Sequence, residues 1–179
     1  MLKRVVVTGI GALTPIGLDV SSFWGGLMSS VSGAAPITRF DSSKFKTHFA
    51  CELKNFKAED YIDRKELRKL DDFSVYALVS TEEAIKDANL NLESLNLQRC
   101  GVIWGSGIGG LKTMSSEIES YVLNDKIPRF SPFFIPKMIS DIAAGLLSIK
   151  YGFRGANFST VSACASSTNS IIEAYHYIK

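Results

Sequence analysis

The chain is poor in the side chains that build metal and disulfide sites. It has three cysteines in 179 residues, Cys51, Cys100 and Cys164, and no pair has CxxC spacing. That excludes a zinc ribbon and a disulfide framework, fits a reducing compartment and leads us to expect no metal and no cofactor. Histidines are scarcer still, only His48 and His176. The net charge is +2, too small to point to nucleic acid as a partner. No apolar run is long enough to span a bilayer. The first residues, Met1-Leu2-Lys3-Arg4-Val5-Val6-Val7, do not have the pattern of a secretory signal. A cytoplasmic protein without membrane contact is the expectation.

What is present is ordinary globular composition, 46% hydrophobic and 21% charged, enough for one sizeable core. Residues 4–8 read as a buried, Val-rich strand. Gly9-Ile10-Gly11 then imitates a dinucleotide fingerprint, but Thr14 stands where the third glycine belongs and Pro15 follows, so a nucleotide site is rejected. Asp19 is placed to cap a helix over 20–28. Residues 32–58 read as an irregular excursion with short edge strands. A long helix is predicted over 64–88, with Leu67, Leu70, Phe73, Ala77, Ala84, Ile85 and Ala88 facing the core. Further along, strands are predicted over 98–104 and 156–163. Helices are predicted over 111–123, 137–151 and 166–179, with a Pro- and Phe-rich loop over 126–136. Alternating strands and helices predict a layered α/β fold with a largely parallel sheet. The last helix keeps its apolar register through Ile171, Tyr175 and Ile178 to Lys179 without a cap, the pattern expected of a piece of a longer protein.

Cys164 is the most informative residue. It sits in Val161-Ser162-Ala163-Cys164-Ala165-Ser166-Ser167, where a strand pattern meets a helical one. Such a junction exposes a side chain on a sharp turn, at the positive end of a helix that favours thiolate over thiol. An arbitrary cysteine packs like a small apolar residue. Here small neighbours on both sides leave the room that a substrate needs. A nucleophilic cysteine usually needs a base or a cationic partner. His176 lies twelve residues further along the same helix, roughly 18 Å away. His48 sits in the irregular excursion and reads as a surface residue.

Three other clusters stand out. Gly105-Ser106-Gly107-Ile108-Gly109-Gly110 lacks the Lys-Ser/Thr pair of a phosphate loop and reads as a tight turn, with Ile108 either core or pocket wall. Lys65, Arg68 and Lys69 share a helix face that charge alone assigns to solvent. Ser131-Pro132-Phe133-Phe134-Ile135-Pro136 presents two aromatics between prolines, for an interface, a substrate wall or the core.

Together these segments resemble the β-ketoacyl-[acyl-carrier-protein] synthases, specifically the type II elongating enzymes of fatty-acid synthesis. The resemblance rests on the segments beginning at Arg4, Arg64, Gly105, Ser131, Tyr151 and Ser162, in the family's order across the whole chain. It implies a thiolase-like layered α/β/α/β/α fold, of which residues 1–179 would be most of the N-terminal half. It implies an acyltransferase and a homodimer, with acyl carrier protein, acyl- and malonyl-loaded, as the partner. Cys164 would be the acylated nucleophile, its backbone N–H one oxyanion donor. Ile108, Phe134 and Ala163 would line the acyl pocket, with Phe134 reaching into the partner subunit. Lys65, Arg68, Lys69 and Arg129 would dock the acidic carrier, in place of the solvated face. The family's two catalytic histidines, its lysine and its gating loop would lie beyond residue 179, so the 179 residues alone are expected to be inactive. Three other readings stand beside this one. They are a non-catalytic fragment that at most docks carrier protein, a polyketide or starter-condensing synthase of the same fold, and an independent cysteine hydrolase.

Overall fold

The computed structural model describes residues 4–179. The first helix, α1 (Val20–Met28), begins where its cap predicts. Asp19 accepts from the Ser22 amide at 2.6 Å, and Ser22 Oγ accepts from the Asp19 amide at 3.2 Å, a reciprocal box that satisfies both donors. The excursion that follows holds two short antiparallel strands, β1 (Ala35–Pro36) and β2 (Phe49–Ala50), as expected.

The long helix is two. A four-residue α2 (Arg64–Leu67) ends, and α3 (Asp72–Asp87) starts afresh. Asp71 causes the break. Its backbone is extended (φ −93°, ψ 160°), and its carboxylate accepts from the Phe73 amide, so the helix is re-capped rather than continued. Of the predicted apolar stripe only Ala77 is buried, and the other six residues are half-buried. The buried surface of α3 is Val75, Ala77, Leu78 and Val79.

A parallel pair forms the sheet next to the site. β3 (Val102–Gly105) aligns with β4 (Asn157–Thr160), Val102 opposite Asn157 and Gly105 opposite Thr160. Both strands are shorter than their β-rich sequences predict. Residues 97–99 are coiled into a 3-10 turn, and 163–165 into another. Between the strands lie α4 (Leu111–Leu123), α5 (Phe134–Met138) and α6 (Ile142–Tyr151), and α7 (Ser166–Ile178) follows β4. The start of α5 inside the expected loop is possible because Pro136 falls in its first turn, where a missing N–H breaks no helical bond. Ile139 is extended (ψ 139°) and separates α5 from α6, which the sequence joins into one helix.

Residues 4–8 depart furthest from expectation, for they belong to no ladder. Val6 and Val7 are 61% and 80% exposed. The amides just after them are spent on α3 instead: Ile10 N donates to Asp87 Oδ2 at 2.9 Å and Ala12 N to Glu83 Oε2 at 2.8 Å. Val content marks a strand, but pairing depends on which partner is adjacent.

The core is the contact of α3 with α6, where Val75, Ala77, Leu78 and Val79 meet Ala143, Ala144 and Leu147. Glu82 closes its rim, accepting from Lys150 of α6 at 2.7 Å and Lys86 at 2.8 Å. Lys150 and then Lys86 pull the Glu82 carboxyl down from 4.5 to about 2. A folded value below the unfolded one stabilises above pH 4.5 and is lost as pH falls towards 2. Solvent reaches 41% of this side chain, so the contribution is screened to about 1 kcal/mol or less. Glu82→Gln is therefore expected to lower the thermal midpoint slightly at pH 7. The gap from wild type should close by pH 2, and a gap equally wide at both pH values in thermal unfolding would refute this.

Candidate active site

Cys164 is exposed on a strained elbow. β4 ends at Thr160, and Ala163 then takes φ +49°, a left-handed conformation that alanine rarely adopts. A 3-10 turn over Ala163–Ala165 lifts Cys164 clear, and α7 begins two residues later.

Serine and threonine side chains hold this shape. Ser166, buried to 3% exposure, accepts from the Ser162 amide at 2.9 Å and donates to Ala163 O at 2.8 Å. Thr160 Oγ1 donates to Ser166 O at 2.8 Å, and Asn169 Nδ2 donates to Ser162 Oγ at 2.6 Å. These bonds fix the carbonyl and amide of the residues before Cys164, which offsets the strain at Ala163. Sequence reasoning passed over Thr160, Ser162, Ser166 and Asn169. The only signal was a hydroxyl-rich run around the cysteine.

The glycine turn packs directly on the elbow. Ser106 is buried, and its amide donates to Thr160 O at 3.2 Å, continuing the β3–β4 ladder. A Cβ on Gly107 would stand 3.3 Å from Ala163 O. At the other end Gly109 takes φ +88° against the main chain of Met138, and the Gly110 amide donates to Met138 O at 2.9 Å. The turn therefore spans from the elbow to α5, and Ile108 at its apex is 69% exposed. The structure thus brings Ala163, Cys164 and the turn bearing Ile108 into one neighbourhood, with α5 on its far side.

Phe134, the first residue of α5, is half-buried. Its ring stacks on Phe130 at 5.5 Å, and Phe130 stacks on Tyr121 at 5.6 Å. Lys65 and Arg68 are exposed on and just after α2, and Lys69 pairs with Glu66 at 2.7 Å. Arg129 stands apart, on the loop between α4 and α5 beside Glu117 and Tyr121. An open cleft of about 530 Å³ lies between residues 11–14, α3 and the end of β3, lined by Phe73, Tyr76, Trp104 and Ser106. It has no cysteine in its wall, and the Cys164 elbow lies outside it. His48 and His176 are both exposed, and neither shares a hydrogen bond with Cys164. No cluster of three metal-ligating side chains exists among the described residues. No helix among them is long and apolar enough to cross a membrane.

An exposed cysteine on a strained strand-to-helix turn, backed by a glycine turn, is the feature of this α/β chain with the geometry a covalent nucleophile needs. Comparison narrows this. Residues 2–179 match the family model described as β-ketoacyl synthase, N-terminal domain, and the chain belongs to that family. It is 49% identical over 178 residues to 3-oxoacyl-[acyl-carrier-protein] synthase 2 of Staphylococcus aureus (strain COL), covering 99% of this chain and 42% of that protein. Against the protein of the same name from Synechocystis sp. the identity is 46%, with 99% and 42% covered. Among solved structures, a β-ketoacyl synthase from Burkholderia phymatum STM815 superposes with a TM-score of 0.83 at 26% identity, covering 99% of this chain and 44% of that one. A chain of the AntDE:AntF structure, a type II PKS acyl-carrier protein in complex with its ketosynthase bound to the hexaketide, gives 0.82 at 27% identity, with 99% and 47% covered. The fold is the thiolase-like α/β fold of the ketosynthases. The chain spans about two fifths of the length of the curated relatives it matches.

Proposed function

We propose that this chain supplies the N-terminal, nucleophile-bearing half of a fatty-acid-elongating 3-oxoacyl-[acyl-carrier-protein] synthase, acting as a homodimer in the reducing cytoplasm. The observation that carries the reading is the elbow: a cysteine held in the open by a residue at positive φ and by a buried serine. The names of its relatives, and a neighbour solved with its carrier protein, support it.

In this reading the Cys164 thiolate attacks the thioester carbonyl of an acyl-carrier protein. The new C–S bond forms the acyl-enzyme as the carrier's C–S bond breaks, and the carrier thiolate takes up the proton that the Cys164 thiol gave up. The Cys164 backbone N–H is one donor to the oxyanion of the tetrahedral intermediate. Malonyl-carrier protein then binds and loses carbon dioxide. The carbanion left behind attacks the Cys164 thioester, forms a carbon–carbon bond and expels the thiolate. The acyl chain leaves two carbons longer. Ile108, Phe134 and Ala163 line the acyl pocket. Because neither histidine of this chain shares a hydrogen bond with Cys164, the groups that assist decarboxylation are assigned to the remaining length of the enzyme. Mapping the acyl group by mass spectrometry after incubation with acyl-carrier protein should find it on Cys164. A label on any other residue overturns the assignment.

Lys65, Arg68, Lys69 and Arg129 receive the acidic carrier. Reversing the three charges on and just after α2 together (Lys65→Glu, Arg68→Glu, Lys69→Glu) should cut the rate with carrier-bound substrate, relative to a small acyl thioester, by ~10-fold at low salt. The deficit should shrink as salt screens the patch. Stopped-flow acylation at two ionic strengths checks this, and an unchanged ratio would move the docking surface elsewhere.

A further inference from the structure

We propose that Asp71 is a positioning residue: it pins the turn bearing Ile108 against the Cys164 elbow and so sets which acyl chain lengths are accepted. This rests on the reading of Cys164 as nucleophile and Ile108 as pocket wall.

Asp71 is 6% exposed, and all its carboxylate partners are neutral donors. Oδ2 accepts from the Thr113 amide at 2.8 Å and from Thr113 Oγ1 at 2.6 Å, while Oδ1 accepts from the Phe73 amide at 3.4 Å. The nearby cations are taken by its neighbour, since Lys112 and Arg39 both bind Asp72. One buried carboxylate therefore closes two helix N-termini, α3 and α4. The donors and dipoles of those ends are what keep its charge inside.

The second helix gives this its consequence. α4 starts at Leu111, and its N-cap is Gly110, which has no side chain to offer. Its cap comes instead from 42 residues upstream. Immediately before α4 lie Gly110 and Gly109, the latter at φ +88°, and then Ile108. The near end of the turn is fixed to β4 through Ser106 N and Thr160 O. The far end has two holds, the Gly110 amide on Met138 O and the start of α4, and Asp71 fixes the second. Freeing the second leaves the two glycines on the Met138 contact alone, and the side chain next to them is Ile108. The same carboxylate ends the segment that begins with the basic α2, so its position is also tied to that surface.

The test uses the complete synthase that carries this chain. Cys164 acylation is measured by mass spectrometry, with octanoyl- and hexadecanoyl-carrier protein in competition. Asp71→Asn keeps the shape but turns an amide N–H₂ towards a donor. Thr113→Val keeps the backbone bond and removes only the hydroxyl arm, so it carries the test if the first variant does not fold. Each should shift the long-to-short ratio by about five-fold, and in an Ile108→Ala background the same changes should add less than about two-fold. A lowered melting temperature with an unshifted ratio would make Asp71 a helix cap only and overturn the proposal. Shifts that add in full to that of Ile108→Ala overturn the route through Ile108. If Ile108→Ala alone leaves the ratio unmoved, the pocket reading fails and takes this inference with it. If it moves the ratio while both Asp71→Asn and Thr113→Val do not, only the inference fails.

Discussion

Cys164→Ala should abolish the acyl-enzyme and reduce condensation by at least about 10⁴-fold, the scale of removing a covalent nucleophile. The loss should be chemical and not structural. Cys164 is exposed, its sulfur makes no hydrogen bond, and alanine already stands on both sides of it. The elbow is shaped by Ala163, Ser162 and Ser166, none of which the substitution touches. Its effect on stability should stay within about 0.5 kcal/mol. Carrier protein should therefore still bind the variant, while intact-mass spectra show no acyl adduct. Turnover within about ten-fold of wild type would mean that the thiol does not form the intermediate, and the proposed chemistry would fall with it.

The residues that sequence reasoning located share one property: their partners are local. The Asp19–Ser22 box spans three residues, and α1 starts where it says. The bounds of α4, Leu111–Leu123, follow from a local apolar pattern. The elbow at Cys164 was legible because strand and helix patterns change over within a few residues of it. What was missed depends on distant partners. Asp71 looks like one acid among several in a charged run, and only the approach of Thr113 makes it a double cap. The valines of residues 4–8 promise a ladder, but α3 takes the amides that follow them. The Ser166 network was invisible for another reason. Hydroxyl groups are compatible with loops, caps and strands alike, so their composition does not say which carbonyl they will meet. Pro136 misled because the rule against proline in helices does not hold in the first turn.

Gly105→Ala is expected to damage the fold and the elbow together. Gly105 ends β3, where the strand passes under the start of α7. A Cβ there would lie 2.5 Å from Ser166 O and 2.6 Å from both Ser166 C and Ser167 N. All three are main-chain atoms, so no side chain can rotate away. The strand cannot slip either, because its register with β4 and the Ser106–Thr160 bond hold it. Relief must come from moving the first turn of α7, and that turn carries the serine that shapes the elbow. Overpacking of this kind costs on the order of 3 kcal/mol. It should also slow Cys164 acylation through the displaced Ala163 carbonyl and Ser162 amide, both bonded to Ser166. Gly145 in α6 is the matched control. Nothing lies within 4 Å of a Cβ there, so Gly145→Ala should be neutral or stabilise by up to ~1 kcal/mol through helix propensity. Thermal unfolding of the pair, with acylation rates, separates the outcomes. If both variants melt within a degree of wild type, the β3–α7 contact is looser than its geometry requires, and the elbow is not held from below.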